Sequence, residues 1–401
     1  MNILFLTMNN FDSIYEHSIY PDLIRALAAR GNDITVLSPV EKKMKIKTNM
    51  IKSGRIRSIK VRTGNLFNVG LIEKLISRIM LCSRYQKALR KYCNGERFDL
   101  ILYSTPPTTL APIIKTMKSK GAYVYLMLKD IFPQNAVDLG LIGQNSFIFK
   151  FFRIGEKNIY RLSDTIGCMS PANVEFIKKQ DPWIDAKKLT VCPNAIEVRE
   201  EALTADEKNE IQKKYAIPKD RLLVVYGGGL GKPQGIDFLE KCILAASKDE
   251  EIFFVIIGNG PYFEKMQQLQ VKIPNSIIAI KWLPVEEYEK ILQVCDVGLI
   301  MLNHNFKIPN FPSRLLLYMQ AHLPILLATD PNTDIGRIAE DNNFGFWCES
   351  NDVEKFVRLI NRYKDINKRN IMGENSFNYL CSHYSVDVVA DSIIKQVGEC
   401  R

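Results

Sequence analysis

Short apolar runs alternate with stretches of helical periodicity along the chain, in two successive series. The first series opens with an apolar run at 2–7, a helical stretch at 18–30 that ends at Gly31, and a second apolar run at 34–37. A strand, a helix and a strand in this order are typical of parallel sheets. The first half is therefore predicted to be doubly wound. Its further strands are predicted at 99–103, 123–128 and 165–169, and its further helices at 69–92, 107–119 and 146–162.

The pattern restarts at Arg221. The second series predicts strands at 222–226, 253–257, 277–280, 297–302, 325–328 and 345–347, with helices at 235–247, 260–270, 286–294, 313–321 and 334–341. The connector, 194–220, is rich in charge, as interdomain segments are. The expected fold class is α/β, with Rossmann-like doubly wound domains at 1–195 and 196–375, and 401 residues suit two domains. Ligands bind beyond the carboxyl ends of such strands, so two loop-lined edges are expected to face each other across a cleft.

The composition argues against several other classes. No apolar run approaches the ~20 residues that a membrane-spanning helix needs, and the chain opens like a buried strand rather than an export signal, so a cytoplasmic location is expected. Nine cysteines without a Cys-x-x-Cys pair are read as reduced thiols. The four histidines are far apart, and no His-Glu-x-x-His or Asp-x-Asp motif is present. Chemistry without a metal is therefore expected.

The positive charge is concentrated in the first half. Residues 1–180 carry 28 Lys and Arg against 13 Asp and Glu, and the stretch 42–62 holds nine basic residues and no acid. Such a segment is attracted to an anionic surface or substrate, or is a solvated loop without a partner. The helix predicted at 69–92 and the Phe-rich stretch 146–154 are expected either to dip into a lipid interface or to bury their apolar faces.

The most informative segment is Gly227-Gly228-Gly229-Leu230-Gly231-Lys232-Pro233-Gln234-Gly235, between a predicted strand and a predicted helix. Glycines allow a backbone to approach a phosphate closely, and a helix N-terminus offers free N–H groups. The segment is therefore predicted to hold a diphosphate, with a tight turn as the alternative. Its spacing fits neither Gly-x-Gly-x-x-Gly nor a Walker loop, which disfavours a nicotinamide enzyme and an ATPase.

A second cation is predicted near that segment. Pro312-Ser313-Arg314 precedes a predicted helix, where Ser313 would cap the helix and Arg314 would oppose the dipole unless an anion is bound. Arg314 and Lys232 are therefore expected to contact one diphosphate, and an arginine that points to solvent is the alternative. Gly258-Asn259-Gly260 and Leu283-Pro284 follow other predicted strands and are expected to frame a planar ring.

In the first half, Lys129-Asp130 follows the strand predicted at 123–128, at the edge where ligands bind. Asp130 is the candidate functional carboxylate, with a helix-capping role as the alternative. The loop after the first strand contains Asp12, Glu16 and His17, which are expected to reach the same edge.

In this order the segments resemble the retaining GT-B glycosyltransferases of family 4, in the branch that builds capsule, O-antigen and colanic-acid-like polysaccharides. The resemblance rests on Asp130 to Pro133, Pro193-Asn194-Ala195, the glycine segment and Pro312 to Pro324, together with Ser104-Thr105-Pro106-Pro107. It implies that the C-terminal domain binds a nucleotide sugar, more often UDP-linked than GDP-linked, without a metal. It also implies that the N-terminal domain binds a glycan on polyprenyl diphosphate at the inner membrane surface. A terminal helix, 376–397, is expected to return to the first domain.

The resemblance also assigns site residues. Asp130, Lys232 and Arg314 would be catalytic, and Asp12, Glu16, His17, Ser104 and Lys129 would bind the acceptor. The donor would be held by residues of the second half: Gly228, Gly229, Gly231, Lys232, Gly235, Gly258, Asn259, Gly260, Leu283, Pro284, Pro312, Ser313 and Arg314. Leu317 stands where the family has a ribose-binding Glu. A GT-B sugar-nucleotide epimerase and a non-catalytic sugar-nucleotide-binding protein remain alternatives, and nucleic-acid binding ranks last.

Overall fold

The structure is a computed structural model that describes residues 1–66, 69–105 and 107–399, without the side chains at 71, 72, 74 and 75. Pro106 of the predicted acceptor motif lies outside these residues. The chain divides into two compact units. The first unit comprises Met1–Glu197 with Val386–Arg401, and the second comprises Val198–Ser385.

The first unit is built on an eight-stranded sheet in the order β3-β4-β2-β1-β5-β6-β7-β8, in which only β3 is antiparallel to its neighbour. Its strands are β1 (Asn2–Leu6), β2 (Asp33–Val40), β3 (Asn49–Ser53), β4 (Ile56–Arg62), β5 (Leu100–Ser104), β6 (Tyr123–Leu128), β7 (Thr165–Cys168) and β8 (Leu189–Val191). Its helices are α1 (Ile19–Ala29), α2 (Leu71–Tyr92), α3 (Ala111–Lys118), α4 (Gln134–Asp138), α5 (Phe147–Leu162), α6 (Pro171–Gln180) and α15 (Val386–Glu399).

The central strands are apolar on both faces because helices cover both sides of the sheet. Ile3 to Leu6 of β1 are fully buried, and Ile3 and Phe5 share one core with Val389, Ala390 and Ile393 of α15. The last helix, α15, belongs to the first unit, but the helix predicted over 376–397 is not continuous. A single π-helical turn at Leu380–Tyr384 and Ser385 separate α14 (Ile366–Tyr379) from α15, and residues 376–385 belong to the second unit.

The basic stretch 42–62 is not a solvated loop. Most of it forms β3 and β4, and several of its cations are bound within the unit. Lys60 is buried and donates to the carbonyls of Phe11 and Asp12 at 2.9 and 2.6 Å, and Arg57 pairs with Glu96. Other cations of the stretch, such as Lys45, Lys47 and Lys52, are exposed. Only part of the segment is therefore available to an anionic partner.

The second unit is built on a six-stranded, wholly parallel sheet in the order β11-β10-β9-β12-β13-β14. Its strands are β9 (Leu222–Gly229), β10 (Ile252–Asn259), β11 (Ile277–Lys281), β12 (Val297–Met301), β13 (Ile325–Thr329) and β14 (Gly345–Glu349). Its helices are α7 (Ala205–Lys214), α8 (Ile236–Ala246), α9 (Phe263–Lys272), α10 (Val285–Leu292), α11 (Arg314–Gln320), α12 (Ile335–Asp341), α13 (Val353–Asn361) and α14.

Each sheet has one point where the strand order reverses. In the first unit β1 lies between β2 and β5, and in the second β9 lies between β10 and β12. Ligands of doubly wound sheets bind beyond the carboxyl ends of the strands at such points. The predicted site segments follow these strands or their neighbours. Among the described residues, no helix combines the length and the apolar character needed to cross a bilayer.

Candidate functional site

The glycine segment begins inside the sheet. The prediction that the strand ends at Tyr226 is wrong, because β9 continues to Gly229 and pairs with β10 through Gly258 and Asn259. Gly228 has φ +126°, a backbone conformation that residues with a side chain rarely adopt. A Cβ atom on Gly228 would lie 3.2 Å from the guanidinium carbon of Arg314. The backbone at the end of β9 is thus exposed and lies directly against Arg314.

Gly258 allows β10 to approach that backbone. A Cβ atom on Gly258 would overlap the carbonyl oxygen of Gly228. The carbonyl oxygen of the neighbouring residue, Asn259, accepts a hydrogen bond from the Leu230 amide at 2.9 Å. Gly260 follows with φ +148°. The backbone of β10 therefore packs against residues 228–230 and fixes their backbone conformation.

We predict that Gly258→Ala destabilises the second unit by about 1–3 kcal/mol, the usual cost of inserting a methyl group into a packed interior. The added methyl group would push the Gly228 carbonyl out of its place. Thermal unfolding of the variant is compared with that of Gly398→Ala, since a Cβ atom on Gly398 meets no other atom within 4 Å. An unfolding midpoint equal to that of Gly398→Ala would show that the contact is not tight.

The segment leads directly into the following helix, as predicted, but it contains a turn of its own. Residues Lys232–Gln234 form one 3₁₀ turn that begins after Gly231, and α8 begins after Gly235, whose φ is +60°. The Lys232 side chain is exposed. The backbone of the turn is held by the Asn303 side chain, which donates to the Lys232 carbonyl at 3.0 Å. The turn thus places a lysine near the end of β9.

Arg314 lies among three tyrosines. Its guanidinium stacks on the ring of Tyr226, 4.5 Å from the ring centroid. The hydroxyl of Tyr226 donates to the Gly229 carbonyl at 2.7 Å, and the hydroxyl of Tyr318 accepts from the Gly227 amide at 2.8 Å. A Cβ atom on Gly227 would overlap the hydroxyl of Tyr288. The three aromatic side chains therefore fix both the glycine backbone and the arginine.

The charge of Arg314 is not balanced by this environment. Burial raises the pKa of Tyr318 to about 12 and also raises the pKa values of Tyr226 and Tyr288, so the phenols stay neutral at physiological pH. Within the residues that the structure describes, Arg314 makes no ion pair, and its buried Nη1 has no hydrogen-bond partner. An unpartnered buried guanidinium nitrogen is costly. An anion bound at this position would supply the missing hydrogen-bond acceptor.

The remaining donor-site predictions lie around this arginine or at the next strand ends. Pro312 and Ser313 directly precede α11, but the Ser313 hydroxyl makes no capping hydrogen bond, contrary to the expectation. Leu283 and Pro284 follow β11, with the indole of Trp282 66% exposed beside them. Leu317, at the position of the family's ribose-binding Glu, lines a small cavity together with Arg199 and Gln320.

In the first unit, Lys129 and Asp130 follow β6, and Thr105 follows β5. The hydroxyl of Thr105 donates to the Asp130 carbonyl at 3.2 Å and accepts from the Lys129 amide at 3.1 Å. Asp130 is exposed, yet partial desolvation by the surrounding protein raises the pKa of its carboxyl. Ser104, at the end of β5, is buried and hydrogen bonds with Tyr20. Two strand ends are thus tied together at the position of the candidate carboxylate.

Lys129, predicted to bind an acceptor, has a structural role in this structure. Its ammonium donates to the carbonyls of Cys192 and Pro193, each at 3.2 Å, and so holds the chain that follows β8. Burial lowers the pKa of Lys129. Asp12 is exposed, and its amide donates to the Glu16 carboxylate at 3.0 Å.

His17 belongs to a polar cluster at the first turn of α1. Its Nδ1 lies 3.0 Å from Asp22, and Arg25 donates to both Asp22 and Glu197 at 2.7 Å. Burial opposes ionisation of Asp22, but hydrogen bonds from His17 and the Glu197 amide hold the pKa of that carboxyl below its usual value. Ligand atoms of His17, Asp22 and Glu197 lie within 4.8 Å of one another. Arg25 already supplies the positive charge there, so the cluster is suited to structural support rather than to a metal.

Sequence reasoning missed Thr105, Tyr226, Tyr288 and Tyr318 as parts of the site. The position of Tyr318, four residues after Arg314 and therefore on the same helix face, was a signal for one of them. Tyr288 comes from α10, and no feature of its own segment indicates a contact with Gly227.

Comparison with known proteins identifies the class of the second unit. Residues 207–379 match the family described as Glycosyl transferases group 1, so the chain contains such a domain. The probable glycosyltransferase WbjE of Pseudomonas aeruginosa is 24% identical over 295 residues, which cover 70% of this chain and 69% of WbjE. The UDP-Gal:alpha-D-GlcNAc-diphosphoundecaprenol alpha-1,3-galactosyltransferase of Escherichia coli is 22% identical over 222 residues, 53% of this chain and 54% of that enzyme.

The fold is also found among solved structures. HepE of Anabaena, determined in complex with UDP, aligns over 100% of both chains with a TM-score of 0.71 and 13% sequence identity. This likeness, with the two parallel sheets, confirms the predicted GT-B class of two Rossmann-like α/β domains. The match of residues 207–379 supports the predicted glycosyltransferase class for the second unit, and the predicted polysaccharide branch remains a prediction.

Proposed function

We propose that the protein is a retaining, metal-independent glycosyltransferase that moves a sugar from a UDP-sugar to a glycan carried on polyprenyl diphosphate. The observation that carries the proposal is the buried, unpartnered Nη1 of Arg314 beside the open backbone of Gly228. A diphosphate offers the charge and the acceptor atoms that this guanidinium lacks. Lys232, on the turn after β9, would supply the second cation.

In the proposed mechanism, breaking the bond between sugar and diphosphate builds negative charge on the leaving oxygen. That charge would be stabilised by Arg314, Lys232 and the N–H groups of the glycine segment. These groups are already in position before the reaction, so no rearrangement of the protein is needed. For retention in a single step, the acceptor hydroxyl attacks from the side of the leaving group, and the departing phosphate receives its proton. Asp130 would orient the substrates, and Asp12 and Glu16 would line the approach of the acceptor, whereas the buried Ser104 would only support that edge of the sheet.

The choice of substrates rests on the relatives. HepE was solved with UDP, and the name of the Escherichia coli relative states a UDP-sugar donor and a diphosphoundecaprenol-linked acceptor. By extension we propose a role in surface polysaccharide synthesis, such as capsule or O-antigen, with an N-acetylated or deoxy sugar as donor. An acceptor of this kind places the protein at the inner face of the plasma membrane, to which a basic first half would be attracted.

A thermal-shift screen of nucleotide sugars tests the proposal. A ligand that binds only the folded protein stabilises it by about 2.7 kcal/mol at a concentration of 100 times its Kd. We expect a UDP-sugar to raise the unfolding midpoint of the protein. In a separate assay, UDP should be released from that donor only when a lipid-linked acceptor is added. Formation of an isomer from the donor alone would identify an epimerase. Binding without turnover on any lipid-linked acceptor would identify a binding protein.

A further inference from the structure

The first half of α5 exposes a continuous apolar surface. Phe147, Ile148, Phe151 and Ile154 are 82, 53, 61 and 68% exposed, and we call these four residues the α5 face. Phe147, Phe151 and Ile154 follow one another at intervals of four and three residues and so lie on one side of the helix. Leu141, in the loop before α5, is 66% exposed as well. Such a concentration of exposed aromatic and aliphatic side chains marks an interaction surface.

The charged side chains beside the α5 face are all positive. Residues 139–155 contain no acid, and the one acid of α5, Glu156, is buried and bound to Arg153 and Tyr160. Lys150, Lys157 and Arg161 lie along one flank of the apolar stripe. In the part of the chain that the structure describes, none of these three makes an ion pair. The partner of the α5 face therefore has an apolar region bordered by negative charge.

The α5 face lies at the functional edge of its sheet. Since α5 runs back toward the start of β7, its first turns lie on the side where the strands end, as Asp130 does. Because α2 follows β4 in the chain, its first turns also lie on the side of the sheet where the strands end. There Ile76 and Ile79 are 52 and 62% exposed, and both helices contact the short turn Thr108–Leu110. Two helices that contact the same turn thus present apolar side chains on the side of the sheet where the proposed acceptor residues lie.

From this geometry we propose that the α5 face inserts into the interfacial region of a bilayer that contains anionic phospholipid. The four apolar side chains enter the acyl boundary, and Lys150, Lys157 and Arg161 remain at the level of the phosphates. The charge disfavours a second copy of the chain as the partner, because a symmetric contact would bring these three cations close to their counterparts. The inference rests on the proposed function, because a lipid-linked acceptor is reached only at the surface of a membrane.

Vesicle flotation of the full chain, without nucleotide sugar or glycan acceptor, tests the inference. Vesicles of phosphatidylcholine mixed with phosphatidylglycerol are compared with vesicles of phosphatidylcholine alone. The double variant Phe147→Ser, Phe151→Ser is expected to bind the mixed vesicles about a hundredfold more weakly than the unmodified protein, since one buried Phe contributes about tenfold or more. Lys150→Glu is expected to lose binding chiefly at low salt. Val271→Ser, at an 83% exposed position of α9, is the matched control.

Three results would overturn the inference. They are equal vesicle binding by the double variant and the unmodified protein, equal binding to both vesicle types, and a dimer in sedimentation that the double variant dissociates. Stabilisation by UDP-sugars is measured on the same samples. It is expected to be unchanged in the double variant, so failure of vesicle binding and failure of the donor assignment give different results.

Discussion

Arg314→Ala should lower kcat for sugar transfer by about a hundredfold to a thousandfold, the usual effect of removing one preorganised donor from a developing negative charge. The unfolding midpoint should change little, because loss of the contact with Tyr226 is offset by removal of a buried nitrogen that has no partner. Arg314→Lys should keep the charge but lose the bidentate geometry, and should recover only part of the rate. Steady-state kinetics and thermal unfolding of the same preparations measure both effects.

Lys232→Ala belongs to the same prediction and should likewise abolish most turnover with the fold intact. Arg358→Ala is the control, because Arg358 is an exposed arginine of the same unit on α13. Rates equal to those of the unmodified protein in both Arg314→Ala and Lys232→Ala would refute the assignment of these cations to the diphosphate. A loss in the Arg358→Ala control would point to an indirect effect on the second unit.

The second large effect is expected at the other sheet. Asp130→Asn should lose most transfer, about a hundredfold or more, while the affinity for the donor stays the same. The substitution preserves the size of the side chain and leaves the Thr105 hydrogen bonds to the backbone in place. Donor affinity is measured by calorimetry and transfer by UDP release in the presence of acceptor.

Glu175→Gln provides the control for Asp130→Asn, because Glu175 is an exposed acid of the first unit that pairs with the neighbouring Lys178. Full activity of Asp130→Asn would remove this carboxylate from the mechanism. Loss of donor affinity together with activity would instead move Asp130 from a role in transfer to one in donor binding.

The sequence allowed prediction of the two sheets and of the glycine segment because each depends on local patterns. Apolar runs with helical stretches between them define the strands and helices, and glycines after an apolar run indicate a bend where ligands bind. The strand extension through Gly227 to Gly229 was not predictable in this way. It depends on pairing with Gly258 and Asn259, about thirty residues further along the chain.

Three other features of the structure could not be predicted from the sequence, each for a different physical reason. The many basic residues of the stretch 42–62 concealed the strand patterns of β3 and β4. β3 is an exposed edge strand, where charged side chains are common, and β4 contains Arg57, Lys60 and Arg62. The break at 380–385 has neither proline nor glycine to indicate it. The tyrosines around Arg314 come from β9, α10 and α11, so only the folded sheet brings them together.

The central claim is that the end of β9 and Arg314 together bind the diphosphate of the donor. A crystal structure of the protein with UDP tests it most directly. The diphosphate oxygens are expected within hydrogen-bond distance of the Arg314 guanidinium and of backbone N–H groups in the glycine segment. A well-ordered UDP bound elsewhere, with Nη1 of Arg314 still unpartnered, would contradict the claim.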